Sequence, residues 1–144
     1  LNNYAYYLSE KGVDLHKAES MSYKTIKAEP NNGTYLDTYA WILFMEERYA
    51  DAKTYIDQAL KNRDSTADNS TVLEHAGDIY YMNGMADESV DFWKKAYTGE
   101  NQTEVLAWKI KNRQYITEEE LKKRNAPKQK PAATKKSVRK GKKK

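Results

Sequence analysis

One set of residues recurs three times along residues 1–97, and few architectures are compatible with that repetition. Residues 72–97 carry Leu73, Ala76-Gly77, Tyr80, Gly84, Ser89, Trp93 and Ala96. The same offsets return in residues 36–59 as Leu36, Tyr39-Ala40, Leu43, Tyr49, Ala52, Ile56 and Ala59. Residues 1–30 repeat them as Leu1, Tyr4-Ala5, Leu8, Gly12, Ala18, Ser22, Thr25 and Pro30. Ala18 to Ala52 is 34 positions and Ala52 to Ser89 is 37. The three extra residues fall in Asp64–Ser70, whose polar composition predicts a loop. A fixed period of this length is the signature of stacked supersecondary units, each burying the face its neighbour leaves open.

Within each unit the apolar residues lie three and four apart, which predicts two short amphipathic helices. Ala5, Ala40, Gly77, Ala18, Ala52 and Ala59 stand where small side chains let helix axes approach, and Leu36, Tyr39, Leu43, Leu73, Tyr80 and Trp93 fill the seams. Gly12 and Gly84 suit left-handed positions at helix ends. Thr71 with Glu74, Asn101 with Glu104, and Thr117 with Glu120 have capping-box spacing.

The 34-residue spacing and these offsets resemble the tetratricopeptide repeat family, with its W-x2-L-G-x2-Y…A-x3-F…P pattern. The resemblance covers residues 1–97; Leu replaces the first Trp in all three repeats, and Pro stands only at Pro30. It implies an all-α, right-handed α-α superhelix of three helix-turn-helix repeats, at 1–32, 33–66 and 70–99. It also implies the C-terminal part of a bacterial-type repeat protein, with further repeats ahead of Leu1 and an origin in the bacterial cell or envelope.

A solenoid has to cover its last apolar face. Val105, Leu106, Trp108, Ile110 and Tyr115-Ile116 continue a helical pattern, so residues 103–116 are expected to form a capping helix, and Glu118–Arg124 to extend or follow it. The repeat domain is thus expected at 1–124. Residues 125–144 hold nine Lys or Arg and no acid, leaving 16 of the 25 basic residues against 21 acids in residues 1–124, a net of −5. The body is mildly acidic, and the basic character belongs to a tail too poor in apolar residues to order itself.

The resemblance implies that the first helix of each repeat lines a concave, partner-holding face. Carried over by offset, that face has Asn2, Asn3 and Tyr6 from the first repeat, Asp37, Thr38, Trp41, Phe44 and Met45 from the second, and Glu74, His75, Asp78, Tyr81 and Met82 from the third. The family's clamp for a terminal carboxylate uses Lys, Arg and Asn; here Asn2 and Asn3 are present without a matching cation. Asp37, Glu74 and Asp78 instead favour a protein or peptide segment carrying basic and apolar residues. Against this stands packing alone, in which Trp41, Phe44 and Tyr81 only fill helix seams. For Lys135, Lys136, Arg139, Lys140, Lys142, Lys143 and Lys144 three readings stand: a solvated terminus, contact with nucleic acid or another polyanion, or docking into the chain's own acidic groove.

Nothing in the sequence composes an active site. The two histidines are His16 and His75; His75 has Glu74 and Asp78 near it, a poor metal set without thiolate or second imidazole. Glu46-Glu47 and Glu118–Glu120 fan out on a helix instead of converging, and no Gly-rich phosphate loop occurs. Cysteine is absent, and no apolar run reaches membrane-spanning length. The expectation is a non-enzymatic scaffold without cofactor or metal.

Overall fold

The computed structural model describes residues 1–126, and all its regular structure is helical. Six helices form three consecutive pairs: α1 (Asn2–Lys11) with α2 (Leu15–Ala28), α3 (Gly33–Met45) with α4 (Tyr49–Lys61), and α5 (Ser70–Met82) with α6 (Ala86–Ala96). A 3-10 turn at Gly99–Asn101 leads to α7 (Glu104–Asn112) and α8 (Glu118–Asn125). Each helix packs on the next as far as α7, and α1 touches α3 as α3 touches α5. The first helices of the three pairs therefore stand side by side.

The small residues make these approaches possible. Ala5, Ala18, Ala40, Ala52, Ala59, Ala76 and Ala96 are all fully buried. At Gly77 the approach is closest, because a Cβ there would lie 2.3 Å from Cδ1 of Trp93. The main core runs through Ile26, Leu36, Tyr39, Leu43, Phe44, Ile56 and Ile79. Trp93, Val90, Ala96 and Leu106 form a second cluster that joins α6 to α7.

The turns separate into those read correctly and those misplaced. Gly12 and Gly84 are left-handed, with φ of +66° and +78°. Thr117 and Glu120 form a complete capping box at α8. The other two proposed boxes do not form: α5 starts one residue before Thr71, and Thr103, not Asn101, caps α7 through Leu106 N–H. In both cases a nearer Asn or Thr takes the boundary, since several cap-forming residues crowd the same loop. Arg113, at φ +55°, separates α7 from α8. Among the described residues no helix is long and apolar enough to cross a membrane.

Candidate functional site

The side-by-side first helices α1, α3 and α5 carry every residue expected on the partner-holding face, and the structure divides that face into three zones.

The zone nearest α7 is closed. Lys109 reaches from α7 to Asp78 at 2.7 Å and Glu74 at 2.9 Å. Asp78 also accepts from the Trp93 indole at 3.0 Å, and Glu74 accepts from the Asn101 amide at 3.2 Å. The Lys109 ammonium lies over the rings of Trp93 and Tyr115, 5.6 and 5.4 Å from their centroids. Burial by itself would lower the pKa of Lys109, but Asp78 and Glu74 raise it, so the side chain stays charged. Asp78 and Lys109 are both buried, and Tyr81 stacks on Trp93 beside them.

The middle zone is a buried polar-aromatic latch across three helices. His75 Nδ1 of α5 lies 2.9 Å from Asp37 Oδ1 of α3, and its Nε2 lies 3.5 Å from the Tyr6 hydroxyl of α1. Trp41 stacks on the imidazole at 4.1 Å between centroids and on Phe44 at 4.6 Å. The Trp41 indole donates to Glu10 at 2.9 Å, and Phe44 meets Tyr115 edge-on. Burial disfavours the imidazolium, yet Asp37, with Asp78 and Glu10 behind it, holds the His75 pKa above its ordinary value. Burial, with Glu10, Asp37 and Glu74, raises that of the Tyr6 phenol, so it stays neutral.

The third zone is a cleft of about 490 Å³ at the N-terminal ends of α1, α3 and α5, bordered by the α4–α5 loop. Among the described residues Asn2, Tyr6, Thr34 and Val72 line it with three carboxylates, Asp37, Asp64 and Asp68, and one cation, Arg63. Hydrogen bonds from the Thr66 hydroxyl and N–H, and from Ser70, hold Asp64 and Asp68 below the usual carboxylate range. The Asn2 side-chain oxygen is buried here without a partner among the described residues. The first-turn N–H groups of a helix have no acceptor within it; Tyr35 N–H is taken by Asn32 Oδ1 and Ser70 N–H by Asp68 Oδ1, which leaves only the other first-turn N–H groups as donors.

The expected face is thus corrected in part. Trp41, Phe44, His75 and Asp78 are buried and engaged within the chain, and Met45 packs against the main core, so none of them faces solvent as an open groove. Thr38 is buried as well, while Asn3 is exposed. Glu74 and Tyr81 are half-buried against α6 and α7. Asn2, Asn3, Tyr6, Asp37 and Thr38 do come together, lining the cleft. Lys135, Lys136, Arg139, Lys140, Lys142, Lys143 and Lys144 lie outside the described residues.

Sequence reasoning missed Lys109, Tyr115, Glu10 and the Arg63–Asp68 rim. A signal for Lys109 existed: it lies three residues after Leu106 and four after Val105, on the stripe that α7 buries, where a lysine needs an internal counter-charge. Among the described residues no three His, Asp or Glu side chains are placed to hold a metal ion. No protein-family model matches the chain, and no curated protein matches it.

Proposed function

We propose that the chain is a non-catalytic, protein-binding module built of three tetratricopeptide-type repeats in a right-handed superhelix, with α7 and α8 as its cap. Its ligand is an extended segment of another protein that carries Lys or Arg among apolar residues. The cleft at the N-terminal ends of α1, α3 and α5 is the observation that carries this reading. Among the described residues its carboxylates outnumber its cations three to one. An extended segment supplies what is missing: basic heads for the carboxylates, and backbone carbonyls for first-turn N–H groups. The 34-residue spacing and the side-by-side first helices support the repeat assignment.

The test is selection from a displayed library of random 12-residue peptides, followed by titration of the enriched ones. Enrichment of Lys or Arg beside apolar residues is expected, with affinity falling roughly tenfold or more in Asp64→Lys/Asp68→Lys. Failure to enrich any peptide, or affinity indifferent to that double substitution, overturns the reading. A chain ending at Arg124 is the control for the tail. Binding that follows Lys135–Lys144 and falls steeply with salt would instead make the chain a polyanion binder with the repeats as spacer.

A further inference from the structure

His75 is buried, yet both of its ring nitrogens meet side chains that line the cleft. Nδ1 lies 2.9 Å from Asp37 Oδ1 and Nε2 lies 3.5 Å from the Tyr6 hydroxyl, and Asp37 and Tyr6 are both lining residues. The imidazole itself stands behind them, with Trp41 stacked on its face. Its side chain is 8% exposed against 13% for that of Asp37. One carboxylate therefore has an inner partner that can gain or lose a proton and an outer side that reaches the cleft.

The charges around the ring single out His75 as the group that changes near neutral pH. From α1 it faces Tyr6 and Glu10, from α3 Asp37, and on α5 it has Glu74 and Asp78 beside it. Glu10 accepts from the Trp41 indole, and Lys109 of α7 sits between Asp78 and Glu74. The Tyr6 phenol stays neutral and Lys109 stays charged. On the rim, hydrogen bonds keep Asp64 and Asp68 ionised. Burial disfavours the imidazolium, and Asp37, then Asp78 and Glu10, favour it. A cation brought to Asp37 from the cleft offsets the nearest of these carboxylates, and burial then prevails.

We propose that a basic segment entering the cleft expels a proton from His75, so that the chain holds it more tightly as pH rises through neutrality. A Lys or Arg head on the cleft side of Asp37 shares that carboxylate with the imidazolium, and the two cations repel across it. The imidazolium gives up one N–H proton to water. The neutral ring keeps its hydrogen on Nδ1 for Asp37, and Nε2 turns from donor to acceptor for the Tyr6 hydroxyl. By linkage, acid weakens binding by the same factor by which the bound segment disfavours the imidazolium. This holds only if the cleft takes a basic segment, as proposed above.

The probe is the tightest peptide from the library selection that lacks His, Asp and Glu, acetylated and amidated so that only its Lys and Arg are charged. Calorimetric titration of the native chain between pH 6 and 8, in two buffers of different ionisation enthalpy, should show net release of protons on binding. Affinity should rise roughly tenfold between pH 5.5 and pH 8.5. His75→Gln keeps an N–H for Asp37 and carries no charge at any pH. A variant that still unfolds cooperatively should bind with both the pH dependence and the proton release gone; if it does not fold, the proton count on the native chain decides. Binding without proton release, with proton uptake, or with a pH dependence that survives His75→Gln overturns the proposal and leaves the cleft reading standing. A selection that returns no peptide, or affinity indifferent to Asp64→Lys/Asp68→Lys, overturns the cleft reading and the proton linkage with it.

Discussion

The two ends of the α1–α3–α5 face begin from similar chemistry and finish differently. Near α7, the carboxylates Glu74 and Asp78 meet Lys109, and Trp93 and Tyr115 cover the ammonium. Near the helix N-termini, Asp37, Asp64 and Asp68 surround a cleft with Arg63 as its one lining cation among the described residues. The difference lies in who supplies the counter-charge. One end has been supplied by the chain itself, at the cost of taking a lysine out of water. The other retains acceptors at the surface, where a partner's cation can reach them without that desolvation. Carboxylates on a repeat face are therefore candidates for recognition only after the chain's own cations have been placed.

The sharpest way to break this comparison is to empty the closed end. Lys109→Met keeps all but the last atom of the side chain's length and removes its charge, leaving Asp78 and Glu74 inside the protein without their shared cation. Breaking a buried pair from one side costs about 3–5 kcal/mol, far more than losing an exposed one. Urea unfolding followed by circular dichroism would measure it. A loss below about 1 kcal/mol would mean that water already reaches the carboxylates, and the two ends would no longer differ in kind.

A second disturbance tests the packing that holds the closed end. Gly77 faces Trp93 so closely that an added Cβ has to displace the indole, which is fully buried and bonded to Asp78. Gly77→Ala is expected to destabilise by about 2 kcal/mol, although Ala gains about 1 kcal/mol over Gly in helix propensity. A neutral result would show that Trp93 can repack without losing Asp78.

The helices and their order were legible because repetition and apolar spacing are local properties of the chain. Gly12, Gly84 and the Thr117–Glu120 box were legible for the same reason. The closed site was not. Asp78 and Lys109 are 31 positions apart, and Lys109 enters the site only because the third helix pair is followed by α7 folding back onto α6. The offset puts Trp41 and His75 on adjoining helices, but their stacking and burial depend on how deeply α1, α3 and α5 close on one another, which no offset encodes. The cleft rim at Arg63–Asp68 sits in a loop, where periodicity carries no information. Residue types and offsets place these side chains on adjoining helices; distances across helices decide which of them stay exposed.

His75 lies on the border between the two ends, and pH reads its contribution. Its folded pKa stands above the unfolded value of about 6.5. The stabilisation from its imidazolium is thus complete below about pH 6.5 and disappears as pH rises through the folded pKa. Between the two pKa values, unfolding free energy should fall by about 1.4 kcal/mol per pH unit from this group. Unfolding curves from pH 5 to 9 should show the decline in the native chain, and His75→Phe should remove it. A slope that survives the substitution would assign the decline to another group and leave the Asp37 carboxylate without its buried cation.

The smallest effect on stability belongs to the cleft, and there a null result is the informative one. Asp64 and Asp68 are exposed; Asp64 accepts from Thr66 within its own loop, and Asp68 from the N–H of Ser70 at the start of α5. Asp64→Lys/Asp68→Lys should therefore lower the midpoint of unfolding only slightly, through the lost bonds from Thr66 and Ser70. The same double substitution turns the cleft from net negative to net positive, and a basic segment has then lost its counter-charges. Nearly unchanged stability with lost peptide binding would identify the rim as recognition surface, since charged side chains that hold little together inside the chain are left to act on something outside it. Lowered stability would place these residues with Asp78, as carboxylates already used by the fold. The contrast between the ends would then reduce to one of depth.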